Sequence, residues 1–184
     1  MKNNQDLYNK NNKNFINLAK DRYSVRKFQN KRLSKSIINK ILESGHVAPT
    51  GCNYQPQRIL VLNTKESISK LKKCTKCHFD ARTAMLICYN KDETWTRKYD
   101  GAISAPVDAG IVATHMVLMA HSIGVGSCIV MHFNPIAMKE EFNIPSNYEP
   151  HLLLVMGYAD KESKPLKLHD EYRPLSDVVF YDTF

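Results

Sequence analysis

Two clusters in this 184-residue chain carry side chains suited to gripping a small anionic ligand with a ring. The first is Arg22-Tyr23-Ser24-Val25-Arg26, with two guanidinium groups and a hydroxyl within five residues. Guanidinium forks and hydroxyls are the natural partners of phosphate oxygens, so this pentapeptide reads as a phosphate clamp. The second is Ala48-Pro49-Thr50-Gly51-Cys52-Asn53-Tyr54-Gln55-Pro56-Gln57-Arg58. Its prolines fix the backbone, and Gly51 is expected to permit conformations closed to other residues. Thr50, Asn53 and Gln55 offer hydroxyl and amide groups without full charge, which suits an uncharged polar ring better than a metal. Phosphate at one cluster and a heteroaromatic ring at the other describe a nucleotide-like cofactor.

The elements that must position these clusters follow from periodicity and caps. Phe15, Ile16, Leu18 and Ala19 predict a short helix leading to Arg22. Ser34 is placed to cap a helix with Ile37, Ile38, Ile41 and Leu42 at helical spacing, and Gly45 is read as its weakening end. Ile59 to Leu62 predicts a strand, and Thr64 caps a helix carrying Ile68 and Leu71. Thr83 to Tyr89 reads as a buried strand. Asn90 to Ala102 reads as a polar, mobile-looking segment and candidate lid holding Trp95. Ala105 to Ile123 is helical and apolar nearly all round, which suits a central or interface helix. Gly124-Val125-Gly126-Ser127 turns it into a strand from Cys128 to Met131, and Pro135 opens a short helix. His151 to Gly157 gives a fourth strand, and Val178-Val179-Phe180 closes the chain as an apolar stretch. Helices and strands alternate irregularly, so α+β is expected rather than a doubly wound sheet.

The length fits one domain, expected over residues 14–184 behind a flexible arm at 1–13 rich in Asn and Lys. The net charge of +8 is spread over scattered lysines without an aromatic-interleaved stripe, so no nucleic-acid partner is expected. The plain reading of the excess is solvated surface, and attraction of anionic, phosphate-bearing ligands is a second one. Five cysteines with no signal-peptide pattern point to a reduced, cytoplasmic protein. The longest apolar run, Ala109 to Phe133, is broken by His115, His121 and His132, so no membrane span is expected.

Taken together, Arg22 to Arg26, Ala48 to Pro56, Gly124-Val125-Gly126-Ser127-Cys128 and the later Gly157-Tyr158 and Arg173-Pro174-Leu175 resemble the FMN-dependent nitroreductase family. The resemblance runs from about Phe15 to the C-terminus. It implies a nitroreductase-like α+β fold, an antiparallel-rich mixed sheet packed by helices, in an intertwined homodimer with FMN sites at the subunit interface. By position it implies that Arg22, Tyr23, Ser24 and Arg26 hold the ribityl-phosphate and the pyrimidine edge of the flavin, with Arg173 as a second phosphate contact. Pro49, Thr50, Asn53 and Gln55 would belong to the loop covering the partner's FMN. Ile129 to His132 would pass beside the ring, with an amide at Met131 or His132 facing N5 and O4. The implied chemistry is ping-pong: NADH or NADPH gives hydride to flavin N5 and leaves, and a nitroaromatic, quinone-like or other small aromatic acceptor follows. No catalytic side chain and no metal is implied. A flavin-binding store or redox sensor with little turnover is the alternative.

The chain departs from the family pattern at Gln57, at Ile129 and Val130, at Tyr172 and at Ala159, where aromatic, basic or proline residues are frequent. Two further features invite sharper readings. Cys74-Thr75-Lys76-Cys77-His78 spells a haem-attachment or zinc half-site pattern, but without export or a second Cys pair it reads as a helix end carrying two thiols. His115 and His121, six apart, do not share a helix face and read as interior or interface histidines.

Overall fold

A computed structural model describes residues 14–184; the arm expected at 1–13 lies outside the described residues. Four strands, β1 (Gln57–Leu62), β2 (Thr83–Asn90), β3 (Gly126–Val130) and β4 (Tyr148–Gly157), form one sheet in the order β1-β2-β4-β3. Every pairing between them is antiparallel. The mixed character expected from the sequence reduces to one isolated parallel bridge, Ser24 to Ser127, on the outer edge of β3. The two central strands read as continuous apolar runs because both their faces are covered. Their side chains alternate accordingly. Met85 and Ile87 enter one core, while Ala84, Leu86 and Cys88 enter the other.

Residues 14–21 are helical (α1) and lead to the arginine cluster. Helices α2 (Lys35–His46) and α4 (Ala105–Ser122) cover one face of the sheet; α3 (Lys65–Cys74) and α5 (Pro135–Phe142) cover the other. Their starts are chemically specified. The Ser34 hydroxyl accepts from the Ile37 N–H, Thr64 and Ser67 form a reciprocal capping box, and Asn134 accepts from the N–H groups of Ile136 and Ala137 ahead of Pro135. The α4 helix packs against α2 and all four strands. Its buried Val112, Met116 and Val117 each stabilise the fold by about 1.5–3 kcal/mol.

Several boundaries differ from the sequence expectations. Helix α2 ends at His46, one residue past the Gly45 expected to mark its end, and Gly45 is also buried against α4. A Cβ there would stand 2.8 Å from Met116 Cγ and 3.3 Å from Val112 Cγ1, so the glycine sets how closely the two helices approach. Strand β3 begins at Gly126 and ends at Val130, leaving Met131 beyond it. Strand β4 begins earlier than expected, at Tyr148, because a bulge opposite Ile87 and Cys88 inserts His151 without ending the pairing. The closing apolar stretch, Val178 to Phe180, follows a 3-10 turn at Leu175–Asp177, with its side chains exposed. Among the described residues, no helix is long and apolar enough to cross a membrane.

Candidate functional site

The Arg22–Arg26 segment is laid along the outer edge of β3. The Val25 N–H donates to the Ser127 carbonyl at 2.9 Å, and Val25 itself is buried. Gly126 makes this contact possible, because a Cβ at that position would stand 2.8 Å from Val25 Cγ2. On its other side the segment is held by the chain after β4. Phe28 bridges Ala159, the Asp160 N–H donates to the Lys27 carbonyl at 3.0 Å, and the Tyr23 hydroxyl reaches Ser163 at 3.4 Å.

Between these supports lies a cavity of about 170 Å³ lined by Arg22, Tyr23, Ser24, Arg26, Leu166, Leu168 and His169. All four residues expected at the clamp therefore meet in one place. Arg26 is exposed and its Nη1 donates to the Ser24 carbonyl at 3.3 Å. The cavity suits the polar tail of a ligand; a tricyclic ring would have to lie outside it. His169, which sequence reasoning missed, is oriented by donating from Nε2 to the Lys20 carbonyl at 3.0 Å and packs edge-on to Tyr23. The polar stretch around His169 gave no periodic signal that could have found it. Arg173 is exposed on the C-terminal segment and does not line this cavity within its own chain.

A row of backbone groups continues from the clamp. Neighbouring residues of a strand point their N–H and C=O groups alternately to its two edges. Since Ser127 directs its carbonyl outward to Val25, Ile129 two residues on faces the same open edge, and Met131 follows just past the strand end. Ile129, Met131 and His132 are all exposed. Behind this edge the Cys128 thiol is pushed up by burial, against smaller opposing pulls from Arg26, the Ser24 hydroxyl and Arg22. Those pulls register how closely the clamp groups converge on β3.

The loop from Ala48 to Pro56 takes a different support. It is moored to the start of α4 by Asp108, a buried carboxylate that accepts from the Gly51 N–H at 2.9 Å and from the Ser104 hydroxyl at 2.8 Å. A carboxylate inside an otherwise apolar helix was the signal available for this residue. Gly51 is not used for a left-handed backbone, as the sequence suggested. It is used for space, since a Cβ there would meet Ser104 Oγ at 2.8 Å and Trp95 Cβ at 3.4 Å. The left-handed conformations fall instead on Cys52, Asn53 and Gln55 (φ 46°, 58° and 51°), and the Gln55 N–H is held by the Thr50 hydroxyl at 3.1 Å. Pro49, Asn53 and Gln55 are thereby presented on the surface, with Thr50 half-buried beneath them. The expected lid folds into a small hairpin beside this loop, closed by a Thr96–Ile103 bridge and an Arg97–Asp100 ion pair. Loop 48–56 feeds β1, and the clamp lies outside β3. The two clusters thus occupy opposite edges of the sheet, separated by three strand spacings of about 4.8 Å each.

The Cys-Thr-Lys-Cys-His run ends α3. Cys74 is buried in the core and its thiol is pushed up by burial. The His78 Nδ1 accepts from the Asp80 N–H at 2.9 Å, and burial holds its pKa down despite the neighbouring Asp80 carboxylate. His115 Nδ1 bonds the Ile111 carbonyl of its own helix at 2.9 Å, as an interior histidine would.

Fold and site together define an α+β protein with a basic, phosphate-sized recess at one sheet edge and a moored polar loop at the other. The sequence profile described as the nitroreductase family matches residues 19–86 and 72–158. A nitroreductase family protein from Clostridium difficile 630, known from its crystal structure, is 42% identical. It superimposes with a TM-score of 0.85, over 91% of this chain and 97% of that one. An FMN-dependent nitroreductase from Clostridium difficile R20291 is 26% identical with a TM-score of 0.76, over 92% of this chain and 99% of that one. An NADPH-dependent oxidoreductase from Staphylococcus aureus (strain USA300) is 24% identical over 82% of this chain and 67% of its own length. The chain belongs to the nitroreductase family.

Proposed function

We propose that the protein is an FMN-dependent oxidoreductase that draws hydride from NADH or NADPH and delivers it to a nitroaromatic, quinone-like or similar small aromatic acceptor. The observation that carries this reading is the meeting of Arg22, Tyr23, Ser24, Arg26 and His169 on one recess beside the open edge of β3. The donor set fits FMN: cations and hydroxyls for its phosphate, and edge-strand amides for its ring. Family membership and the names of the similar FMN-dependent and NADPH-dependent proteins support it.

When bound, FMN supplies the two-electron chemistry, accepting hydride from one substrate and passing it to the next in a ping-pong sequence. The chain's own residues bind and orient. Arg22, Ser24 and His169 would hold the phosphate. Arg26 adds a fixed positive charge that favours an electron-rich ligand at the recess. The outward-facing backbone at Ile129, with the Met131 and His132 peptides that follow it, would align the ring edge. No side chain is required as a nucleophile.

The working form in this reading is a homodimer whose two FMN sites lie between subunits. The opposite-edge placement of clamp and loop supports it, because Pro49, Thr50, Asn53 and Gln55 would serve a site on a second copy. So does the C-terminal segment, which leaves Tyr172, Leu175, Tyr181 and Phe184 exposed on its own protomer, where a second copy could cover them. Arg173 travels with that segment. The test is direct. Purified protein should be yellow, sediment at twice the chain mass, lose flavin absorbance anaerobically on adding NADH or NADPH, and turn over a quinone in the steady state. A colourless monomer that takes up no FMN on reconstitution would overturn the reading. Bleaching without quinone turnover would point instead to a flavin store or sensor.

A further inference from the structure

The turn after α3 has no part in the function as read so far, yet it holds the end of β3 in place. Thr75 is 7% exposed and closes α3 by donating its N–H to the Leu71 carbonyl at 3.2 Å. Its hydroxyl then makes two bonds across the molecule. It donates to the His132 carbonyl at 2.6 Å and accepts from the Cys77 N–H at 2.9 Å. One residue earlier, the Cys74 carbonyl accepts from the Asn134 N–H at 2.8 Å. The segment it meets, 131–134, lies between the last ladder pair of β3 at Val130 and the start of α5 at Pro135. Within that segment the Phe133 N–H turns back to the Met131 carbonyl at 3.0 Å, and the Asn134 side chain is committed to capping α5. The direction of the peptide groups at Met131 and His132 therefore depends on the two anchor points supplied by Cys74 and Thr75.

We propose that Thr75 is a positioning residue for the FMN site: its hydroxyl pins the His132 carbonyl and so sets the orientation of the backbone that faces the flavin ring. Cys74 and Cys77 contribute only backbone groups to the same turn, and their thiols take no part in it. The inference rests on the FMN reading above, and its test separates the two. Thr75→Val keeps the shape and removes the hydroxyl; Thr75→Ser keeps the hydroxyl. In the flavin-free protein, amide exchange in the 131–134 segment should quicken in Thr75→Val by about tenfold, the usual worth of one such hydrogen bond, and stay at the wild-type rate in Thr75→Ser. The FMN dissociation constant should rise by about the same factor in Thr75→Val alone, with a shifted visible spectrum for whatever flavin remains bound. Unchanged exchange and unchanged FMN affinity in Thr75→Val would overturn the proposal, as would equal losses in Thr75→Ser. Faster exchange in Thr75→Val together with a wild-type protein that never takes up FMN would overturn the FMN reading, and the positioning role with it. Should Thr75→Val not fold, Thr75→Ala is held to the same outcomes.

Discussion

Gly126 offers the sharpest test of how the clamp is seated. A methyl group at this position would stand 2.8 Å from Val25 Cγ2 and 3.1 Å from both Cβ and Cγ1. Carbon atoms rest at about 3.5–4.0 Å, so relief requires a displacement of about 0.7–1.2 Å at the closest pair. Val25 cannot supply it by rotating, because its Cβ is among the colliding atoms, the side chain is buried, and its N–H is bonded to the strand at 2.9 Å. The strain must pass into the backbone of residues 22–26. Gly126→Ala should cost about 1–3 kcal/mol, as overpacking does, and lower the melting temperature by about 2–4 °C for each kcal/mol in a chain of this size. A shift of that length also spoils the hydrogen-bond geometry of Arg22 and Ser24, so FMN affinity should fall by about tenfold. Thermal melts and quenching of flavin fluorescence measure the two effects. Val25→Ala provides an internal control: it should be less damaging in the Gly126→Ala background than in the wild type, because it vacates the contested space. A Gly126→Ala protein with wild-type melting and wild-type FMN affinity would refute this account, and so would equal Val25→Ala costs in both backgrounds.

Three other outcomes follow from the same geometry. Arg22→Ala should weaken FMN retention on desalting by about tenfold or more while leaving the fold intact, since a charge-assisted contact is worth about 1.5–3 kcal/mol; retention equal to wild type would remove the residue from the clamp. His78 and His151 both titrate below the ordinary histidine value of 6.5, chiefly through burial. The unfolded chain therefore binds more protons than the folded one as pH falls below 6.5, and stability present above that value is lost as pH drops through the folded values. Melting temperature should fall between pH 7.5 and 5.5, and replacing both histidines with Gln should flatten the slope. Among the cysteines, Cys52 is exposed, whereas the Cys74, Cys88 and Cys128 thiols are buried and pushed up, Cys88 to about 12. A thiol reagent at neutral pH should label Cys52 quickly, Cys52→Ser should abolish that fast phase, and the buried three should react only on unfolding.

Most of the secondary structure was legible because local chemistry announces it. Ser34, Thr64 and Pro135 start helices by mechanisms that need no tertiary context, and the central strands are apolar throughout because both faces are covered. That Arg22, Tyr23, Ser24 and Arg26 would meet in one place was legible for the same reason, as they lie within five residues. What was misread depended on partners distant in the chain. Gly45 does stand at the end of its helix, but its spacing role against Met116, like that of Gly51 against Ser104, depends on a neighbour far along the chain. His169 reaches the recess only because the segment after β4 folds back over Tyr23, and Thr75 matters only because the end of β3 comes to rest beside it. Val178 to Phe180 is apolar by composition, yet on its own protomer its side chains are exposed.

The split between a clamp outside β3 and a loop moored by Asp108 ahead of β1 has a genetic consequence. In the proposed homodimer, each pocket takes one half from each chain, so Arg22→Ala and Asp108→Ala lesions would fall in different halves. Co-expressed, the two defective chains would exchange partners, and each hybrid pair would concentrate both lesions in one pocket while leaving the other whole. About a quarter of the pockets should then be restored by random pairing, a form of complementation that two lesions confined to the clamp could not produce.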